Sequence, residues 1–364
     1  MSTTRPTPAR RTAVRAAAAG AALLTLAACT TADEASDEAA TDEATATEDG
    51  CPVEVNEDIT TEVQIAFQPI PNGDLVVRDQ EWLEECMPNA TIQWNQFASG
   101  AEAVQAFGSG TADLGLVGSS PATKAISPPL NIDMQVVWIH DVIGDAESLV
   151  ALGDAETIED LDGATIAVPY ASTAHFSLLN ALSDAGLDPS SDVNLINLSP
   201  DAMLGAWERE EIDAAWVWNP TLQELLETGT AIMSSEDTAA AGTPTYDMAA
   251  ATRSFIESNP EFMTLWTELQ DQAVQMIQDE PEQAAEAIGA QLGIDPAEAA
   301  SQMEGYVYLR ASEQAGEDYF GGTLNQDLAT TAEFLLDQQE ITEVSPPEVY
   351  ADAVYSEAIT QVAE

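Results

Sequence analysis

The sequence predicts an α/β protein with two lobes, the second inserted in the first. Short apolar runs alternate with helical patterns from about Thr60, as in mostly parallel sheets joined by right-handed crossovers. The alternation starts again after Glu147, and a predicted strand at Met248–Thr252 then returns to the first lobe. From Pro260 onward the pattern is nearly all helical. Roughly 300 residues are available for this, enough for two domains of ordinary size.

The first lobe begins with four predicted strands separated by helices. A helix at Asp74–Glu85 follows the first strand, and Ser99, three residues before Glu102, forms a capping box that opens the next helix. Ser120, followed by a proline, predicts a further helix start as its N-cap. The strands are Glu62–Phe67, Thr91–Phe97, Asp113–Val117 and Met134–Ile139.

The second lobe is organised around residues 163–186, which predict a strand, a turn and a helix. Ala164–Pro169 is a short apolar run, typical of a strand buried on both faces, with Thr165–Val168 as its centre. Ser172 and Thr173 are good N-cap residues, and Gly186 ends the helix. Further strands are predicted near Leu149 and at Val193–Leu198 and Ala214–Trp218, and further helices from Pro200 and Pro220.

Three turns follow predicted strands at their carboxyl ends, at residues 118–121, 170–175 and 218–220. Ligands of open α/β sheets bind beyond these ends, and a helix start offers backbone N–H groups to an anion. If the lobes face each other, the turns converge on a cleft between them. Uncharged hydrogen-bond donors of this kind favour reversible binding of an anion over a chemical reaction on it. No Gly-x-Ser-x-Gly elbow is present, so we do not expect an enzyme.

The N-terminal 28 residues indicate export. A region with four arginines precedes the apolar stretch Ala16–Ala28, which is too short to span a membrane. It ends in Leu-Ala-Ala-Cys29, which is similar to the lipobox of bacterial lipoproteins. We therefore expect removal of residues 1–28 and an extracytoplasmic protein held at the cell membrane by a lipid on Cys29. A plain secretory signal is the alternative.

The segment after Cys29 is predicted to be an acidic, disordered tether that extends to residue 58. Thr30–Gly50 contains eight acidic residues and no basic residue. It has too few apolar side chains to form a core and fold. The whole chain has 64 acidic and 9 basic residues, a formal net charge of −55. Nucleic acid is excluded as a partner, and so is a basic membrane-binding patch.

Cysteine and histidine usage predicts neither a metal nor another cofactor. His140 and His175 are far apart, and no calcium-binding loop motif is present. Cys51 and Cys86 remain in the exported part. In an oxidising compartment we expect them to form one disulfide that ties the start of the folded part to its first helix, the alternative being two free thiols.

From Val63 to Val362 the chain resembles the solute-binding proteins of ABC importers for sulfonates, nitrate and taurine. Ser-Thr-x-His at residues 172–175 is most similar to the taurine branch. The segments that carry the resemblance are Ile65–Gln68, Phe97–Gly100, Gly118–Pro121, Ala167–Leu179, Ala206–Arg209, Ile212–Asp213, Trp216–Pro220 and Pro244–Asp247.

The resemblance implies a type II periplasmic-binding-protein fold, with a central cleft and two crossover strands between the lobes. We expect residues 59–145 and 249–364 in lobe 1 and residues 146–248 in lobe 2. It also implies which residues bind the ligand, with Glu147 and Asp247 facing an amine. The other cleft residues that it implies are Gln68, Ser119, Ser120, Ser172, Thr173, His175 and Trp218.

The implied function is the capture of taurine, a small zwitterion, and its delivery to a membrane permease with paired ATPase subunits. We expect a monomer. Another aliphatic sulfonate, or glycine betaine in an aromatic cage, is an alternative ligand. A secreted enzyme or a ligand sensor on the same fold is an alternative of another class.

Overall fold

The computed structural model describes residues 50–364, which contain two mixed β-sheets and the helices packed against them. The predictions for the signal segment, for Cys29 and for most of the tether lie outside the described residues. In chain order the strands are β1 (Glu62–Phe67), β2 (Thr91–Gln96), β3 (Leu114–Gly118), β4 (Met134–Ile143), β5 (Glu147–Ala151), β6 (Thr165–Val168), β7 (Asn194–Asn197), β8 (Ala214–Trp218), β9 (Thr230–Ser234), β10 (Tyr246–Thr252) and β11 (Tyr306–Val307).

Helices connect these strands and make up most of the C-terminal part. A short 3₁₀ helix lies at Ile158–Leu161. The α-helices are α1 (Gly73–Asp79), α2 (Trp82–Cys86), α3 (Gly100–Ser109), α4 (Ser119–Ile126), α5 (Thr173–Asp184), α6 (Pro200–Glu208), α7 (Thr221–Leu226), α8 (Ser235–Ala240), α9 (Arg253–Ser258), α10 (Pro260–Asp279), α11 (Pro281–Leu292), α12 (Pro296–Met303), α13 (Ala311–Gln314), α14 (Leu324–Asp337), α15 (Pro347–Asp352) and α16 (Glu357–Val362).

The first sheet has the strand order β11-β4-β10-β3-β1-β2 and the second the order β7-β6-β8-β5-β9. The prediction of mostly parallel sheets is wrong, because five of the nine strand pairs in the described residues are antiparallel, including β11 with β4. β1 pairs in parallel with β2 and β3, and β6 with β7 and β8. β10 runs antiparallel to β3 and β4 because the chain re-enters the first sheet from the second, and β5 runs antiparallel to β8 and β9 for the converse reason.

The chain passes between the two sheets twice. It leaves the first sheet at Ile143 and enters the second at Glu147, and it returns between Ala240 and Tyr246. β10 lies wholly in the first sheet, whereas we had expected its strand to start at Met248. The lobe boundaries at residues 145/146 and 248/249 stay a prediction.

Several helix starts differ from the prediction. The N-cap of α4 is Gly118 and not Ser120, so the proline is the third helical residue, where it forfeits no intrahelical hydrogen bond. Asn219 does not cap α7, because Pro220 holds that position and the backbone N–H of Asn219 donates to the Ala146 carbonyl. The predicted helix at 74–85 is broken into α1 and α2 by Glu81, whose φ is +53°.

The start of the described chain is fixed covalently. Cys51 and Cys86 form a disulfide with Cα atoms 5.2 Å apart, and both side chains are buried. The bond joins the segment before β1 to the end of α2, which is the pairing expected for an oxidising compartment. Among residues 50–364 no helix has both the length and the apolar character needed to cross a membrane.

Candidate ligand-binding cleft

A small cavity lies where the two sheets meet. The cavity and its mouth together contain about 350 Å³ of empty space. The enclosed cavity volume is only about 20 Å³, room for about one water molecule. The cleft is therefore nearly closed. Its walls come from both sheets: Gln68, Ile70, Gly100, Gly118, Pro121, Ile143, Glu147, Ser172, Thr173, Trp218, Asp247 and Tyr306.

One wall consists of helix starts. Gly100 is the first residue of α3, and Gly118 and Ser172 are the N-caps of α4 and α5. The first N–H groups of a helix have no intrahelical acceptor and carry partial positive charge. The turns at 118 and 173 touch, because a Cβ atom on Gly118 would lie 2.7 Å from Cγ2 of Thr173. These two turns, predicted to converge, come from different sheets.

Glu147 lies at the start of α5 and is held by three donors. The hydroxyl of Ser235 donates to Oε1 at 2.7 Å, and the hydroxyl of Thr173 donates to Oε2 at 2.6 Å. The backbone N–H of Ala174 also donates to the carboxylate. Burial raises the pKa of Glu147 to about 7 in spite of these donors. The start of α5, expected to bind an anion of the ligand, is thus occupied by a carboxylate of the protein itself.

Asp247 is the second carboxylate in the cavity wall. It is 7% exposed, and burial together with the charge of Glu147 raises its pKa to about 8. It lies directly opposite Asp141 of the neighbouring strand. Within residues 50–364 neither aspartate nor Glu147 forms an ion pair. The cavity therefore has an acidic wall whose charge is not neutralised.

Aromatic rings complete the cavity. Trp218 ends β8 opposite Glu147 and is partly exposed, whereas Trp216 is fully buried in the core. The hydroxyl of Tyr306 is buried in the cavity wall and has no hydrogen-bond partner. Burial raises the pKa of Tyr306 well above its usual value, so the phenol stays a neutral donor at physiological pH.

Three predicted site residues do not line this cavity. The hydroxyl oxygen of Ser119 accepts from the backbone N–H of Tyr246 at 3.2 Å, and Ser120 is buried beside it. His175 stacks on Tyr170 with ring centres 4.6 Å apart, its Nδ1 accepts from the Ala171 N–H, and burial lowers its pKa to about 4. Contact of these three side chains with a ligand stays a prediction.

The structure adds residues that the sequence did not single out. Asp141 and Ser235 stand next to the two predicted carboxylates, and Tyr306 comes from the C-terminal part. Asp141 is hidden in the long apolar run of β4, and Ser235 follows β9, a strand that was not predicted. Of these three residues, only Asp141 could have been found from the sequence, because a charged residue next to a long apolar run is unusual.

Known proteins are similar to this chain in sequence. A model of the NMT1-like family matches residues 59–292. The taurine-binding periplasmic protein of Escherichia coli is 32% identical over 294 residues, which is 79% of this chain and 89% of that protein.

Solved structures show the same fold at low identity. The alkanesulfonate-binding protein SsuA from Xanthomonas axonopodis pv. citri, bound to MOPS, superposes with a TM-score of 0.68 at 20% identity, covering 81% of this chain and 98% of that one. The nitrate-binding protein NrtA from Synechocystis superposes with a TM-score of 0.65 at 11% identity, covering 84% and 89%. The predicted α/β class and periplasmic-binding-protein fold are confirmed.

Proposed function

The chain belongs to the NMT1-like family, and on that premise we propose that it captures taurine outside the cytoplasm for an ABC importer. It is a substrate-binding protein of the sulfonate and taurine importers and not an enzyme, as its curated relatives are named binding proteins. Taurine as the ligand, the lipid anchor on Cys29 and a monomeric state are parts of the proposal. The taurine-binding relative from E. coli supports the choice of ligand.

The observation that carries the proposal is that the cavity lining combines two opposite kinds of group, helix starts and carboxylates. Taurine has a sulfonate at one end and an ammonium group at the other. Helix starts suit the sulfonate, and unpaired carboxylates suit the ammonium. A ligand with only one of these charges would leave one kind of group without a partner, at the cost of a buried unsatisfied charge.

The sulfonate is assigned to the starts of α3 and α4. The start of α5 is engaged by Glu147, and the hydroxyl of Ser172 already donates to the Pro169 carbonyl at 2.6 Å. The backbone N–H groups near Gly100 and Gly118, with the side-chain amide of Gln68, remain as donors on the first sheet. No basic residue is required, because three or more neutral donors can satisfy a monoanion.

The ammonium group is assigned to Glu147 and Asp247. Glu147 begins β5 in the second sheet and Asp247 lies in β10 in the first, so one cation would contact strands of both sheets. The hydroxyl of Tyr306 and the ring of Trp218 border the same space. A primary ammonium donates hydrogen bonds to both carboxylates, which a quaternary ammonium cannot do. This difference favours taurine over glycine betaine.

Capture works by a shift of population towards the closed form. A ligand that contacts both lobes binds the closed arrangement better than the open one and stabilises it by that difference in affinity. The closed protein would then dock on the permease, and the ATPase subunits would supply the energy for transport. Contact with the membrane would be through the lipid alone.

Calorimetric titration of the purified protein tests the proposal. We expect saturable binding of taurine, weaker binding of ethanesulfonate, which lacks the amine, and no heat with nitrate or glycine betaine. Glu147→Gln should weaken taurine and spare ethanesulfonate. Glu227→Gln, which neutralises an exposed glutamate at the end of α7, is the matched control. Equal affinity for taurine and ethanesulfonate would contradict the assignment of the amine.

A further inference from the structure

We propose that Asp141 is a third member of the ammonium subsite, a positioning residue that shares a proton with Asp247 in the empty cleft, so that binding of an ammonium ligand releases a proton to solvent. This inference rests on the proposed function, since it takes the ligand to carry a primary ammonium. It adds a residue and a regulation to that same site.

The position of Asp141 follows from strand register. β4 and β10 run antiparallel and Asp141 pairs directly with Asp247, so the two side chains project from the same face of the sheet. Cβ atoms of such a pair are about 4.5–5.5 Å apart. Asp141 is 0% exposed and neither of its carboxylate oxygens has a hydrogen-bond partner. A buried carboxylate without a partner this close to another carboxylate cannot remain ionised beside it at little cost.

The groups around Asp141 supply no positive charge. Glu147 from β5, Asp247 from β10, and Tyr306 and Tyr308 from the segment of β11 are the titratable residues whose charges act on it or are acted on by it. Burial raises the pKa of both tyrosines well above the usual value, so they exchange no proton near neutrality. The three carboxylates are therefore the groups that can do so.

The neighbouring histidine does not take part. His140 precedes Asp141 at a point where the pairing of β4 with β10 shifts by one residue, and its Nε2 lies 3.5 Å from the Asp74 carboxylate. Both residues are fully buried, and burial lowers the pKa of His140. His140 is thus neither a cation for Asp141 nor a proton acceptor for it at neutral pH.

An ammonium ligand fits this subsite better than a metal ion. Within residues 50–364 no group of three or more histidine, cysteine or acidic side chains is placed to hold a metal. The unpartnered hydroxyl of Tyr306 lies in the cavity wall beside the carboxylates and can accept one hydrogen bond from an ammonium group. An ammonium favours the ionised form of each carboxylate, which expels the shared proton.

The pKa values of the three carboxylates support the inference. Burial first, then the charges of Asp247 and Glu147, raise the pKa of Asp141 well above its usual value. The pKa of Glu147 is about 7 and that of Asp247 about 8. The empty cleft therefore holds protons at neutral pH, and affinity for an ammonium ligand rises as pH increases through this range.

Calorimetry in buffers of different ionisation enthalpy tests the inference. At about pH 6.5 we expect the wild type to release at least about one proton per taurine bound. Asp141→Asn should reduce that release by at least half while taurine still binds. Asp154→Asn, which neutralises an exposed aspartate, should leave it unchanged. Taurine binding without proton release, or equal release by Asp141→Asn, would overturn the inference and leave the proposed function standing.

A second measurement does not depend on the ligand. The infrared spectrum of the empty protein at the same pH should contain absorption of protonated carboxylic acids, and Asp141→Asn should remove the band of the proton shared with Asp247, leaving the contribution of Glu147. The variant's melting temperature reports whether it folds, and Asp247→Asn should remove the same band if Asp141→Asn does not fold. An empty wild type without the band overturns the shared proton. Failure to bind taurine while the band is present overturns only the proposed ligand.

Discussion

Two aspartates with the same exposure, Asp271 and Asp247, have opposite surroundings. Each is 7% exposed. The carboxylate of Asp271 in α10 accepts hydrogen bonds from Nε and Nη2 of Arg310, at 2.8 and 2.6 Å, and from the backbone N–H of Ala311. Asp247 in the cleft faces Asp141 and Glu147, and among residues 50–364 no basic side chain forms an ion pair with it. One carboxylate is neutralised by the fold and the other is not.

The comparison teaches how a structural acid differs from a binding acid. Burying a carboxylate costs several kcal/mol unless a partner offsets it, and the fold supplies that partner for Asp271. Asp247 is also buried, but it lies beside a cavity and forms no ion pair. A cationic group of a ligand can therefore serve as its partner. If this is right, substitutions at the Asp247 site should affect ligand binding, and substitutions at the Asp271 site should affect stability.

Removing the unpaired charge should damage binding and spare the fold. We expect Asp247→Asn to weaken taurine by about 100-fold, on the order of 3 kcal/mol, because the ammonium loses one of its two carboxylates. Titration calorimetry measures the change. The fold should not be destabilised, since a buried acidic group that forms no ion pair is replaced by a neutral amide of the same shape. A change of less than threefold would contradict the role of Asp247.

Removing the paired cation should have the opposite result. We expect Arg310→Met to lower the free energy of unfolding by about 2 kcal/mol, because Asp271 then stays buried without its charged partner. Urea denaturation measures the loss. Taurine affinity should remain as in the wild type, and a joint loss of affinity and stability would break the comparison.

The stability of the empty protein should depend on pH because of the cleft. Glu147 and Asp247 have pKa values of about 7 and 8, above their ordinary values of 4.5 and 3.8. The folded state therefore binds more protons than the unfolded state between about pH 4 and pH 8, and stability falls as pH rises through this window. We expect a loss on the order of 2 kcal/mol, smaller in Asp247→Asn and smaller with taurine bound. Denaturation of the empty protein at pH 5 and pH 8 measures it, and a rise in stability with pH would contradict it.

The residue that orients Glu147 should have the smallest effect. Ser235→Ala removes the hydroxyl that donates to Oε1 of Glu147, and we expect about 5-fold weaker taurine binding, near 1 kcal/mol. Ser301→Ala, at an exposed position of α12, is the matched control. Equal affinities for both variants would mean that Thr173 and the backbone N–H of Ala174 position the carboxylate without Ser235.

Local sequence was sufficient where local interactions decide the structure. β1, β6 and β8 have the bounds that their apolar runs predict, and Ser99 and Ser172 cap helices as expected, with side-chain oxygens that accept N–H groups of the first turn. These features depend on pattern and capping within a few residues, which a sequence displays.

Tertiary partners decided the rest. β4 was expected to end at Ile139, yet the strand continues through His140 and Asp141 to Ile143. His140 can be buried because Asp74, far away in sequence, is its partner, and Asp141 can be buried beside other carboxylates. Likewise the start of α5 was expected to bind a ligand anion, but it holds Glu147, which is contributed by another strand.

The close contact at Gly118 has a kinetic consequence. A β-carbon there would collide with Thr173 of the other sheet, so the width of the closed cleft depends on the absence of one carbon atom. Alanine at this position would hold the two sheets apart, and the ligand would dissociate sooner although every carboxylate remained in place. The time for which a captured molecule stays bound is therefore set by backbone spacing as well as by charge, and the two can be changed independently.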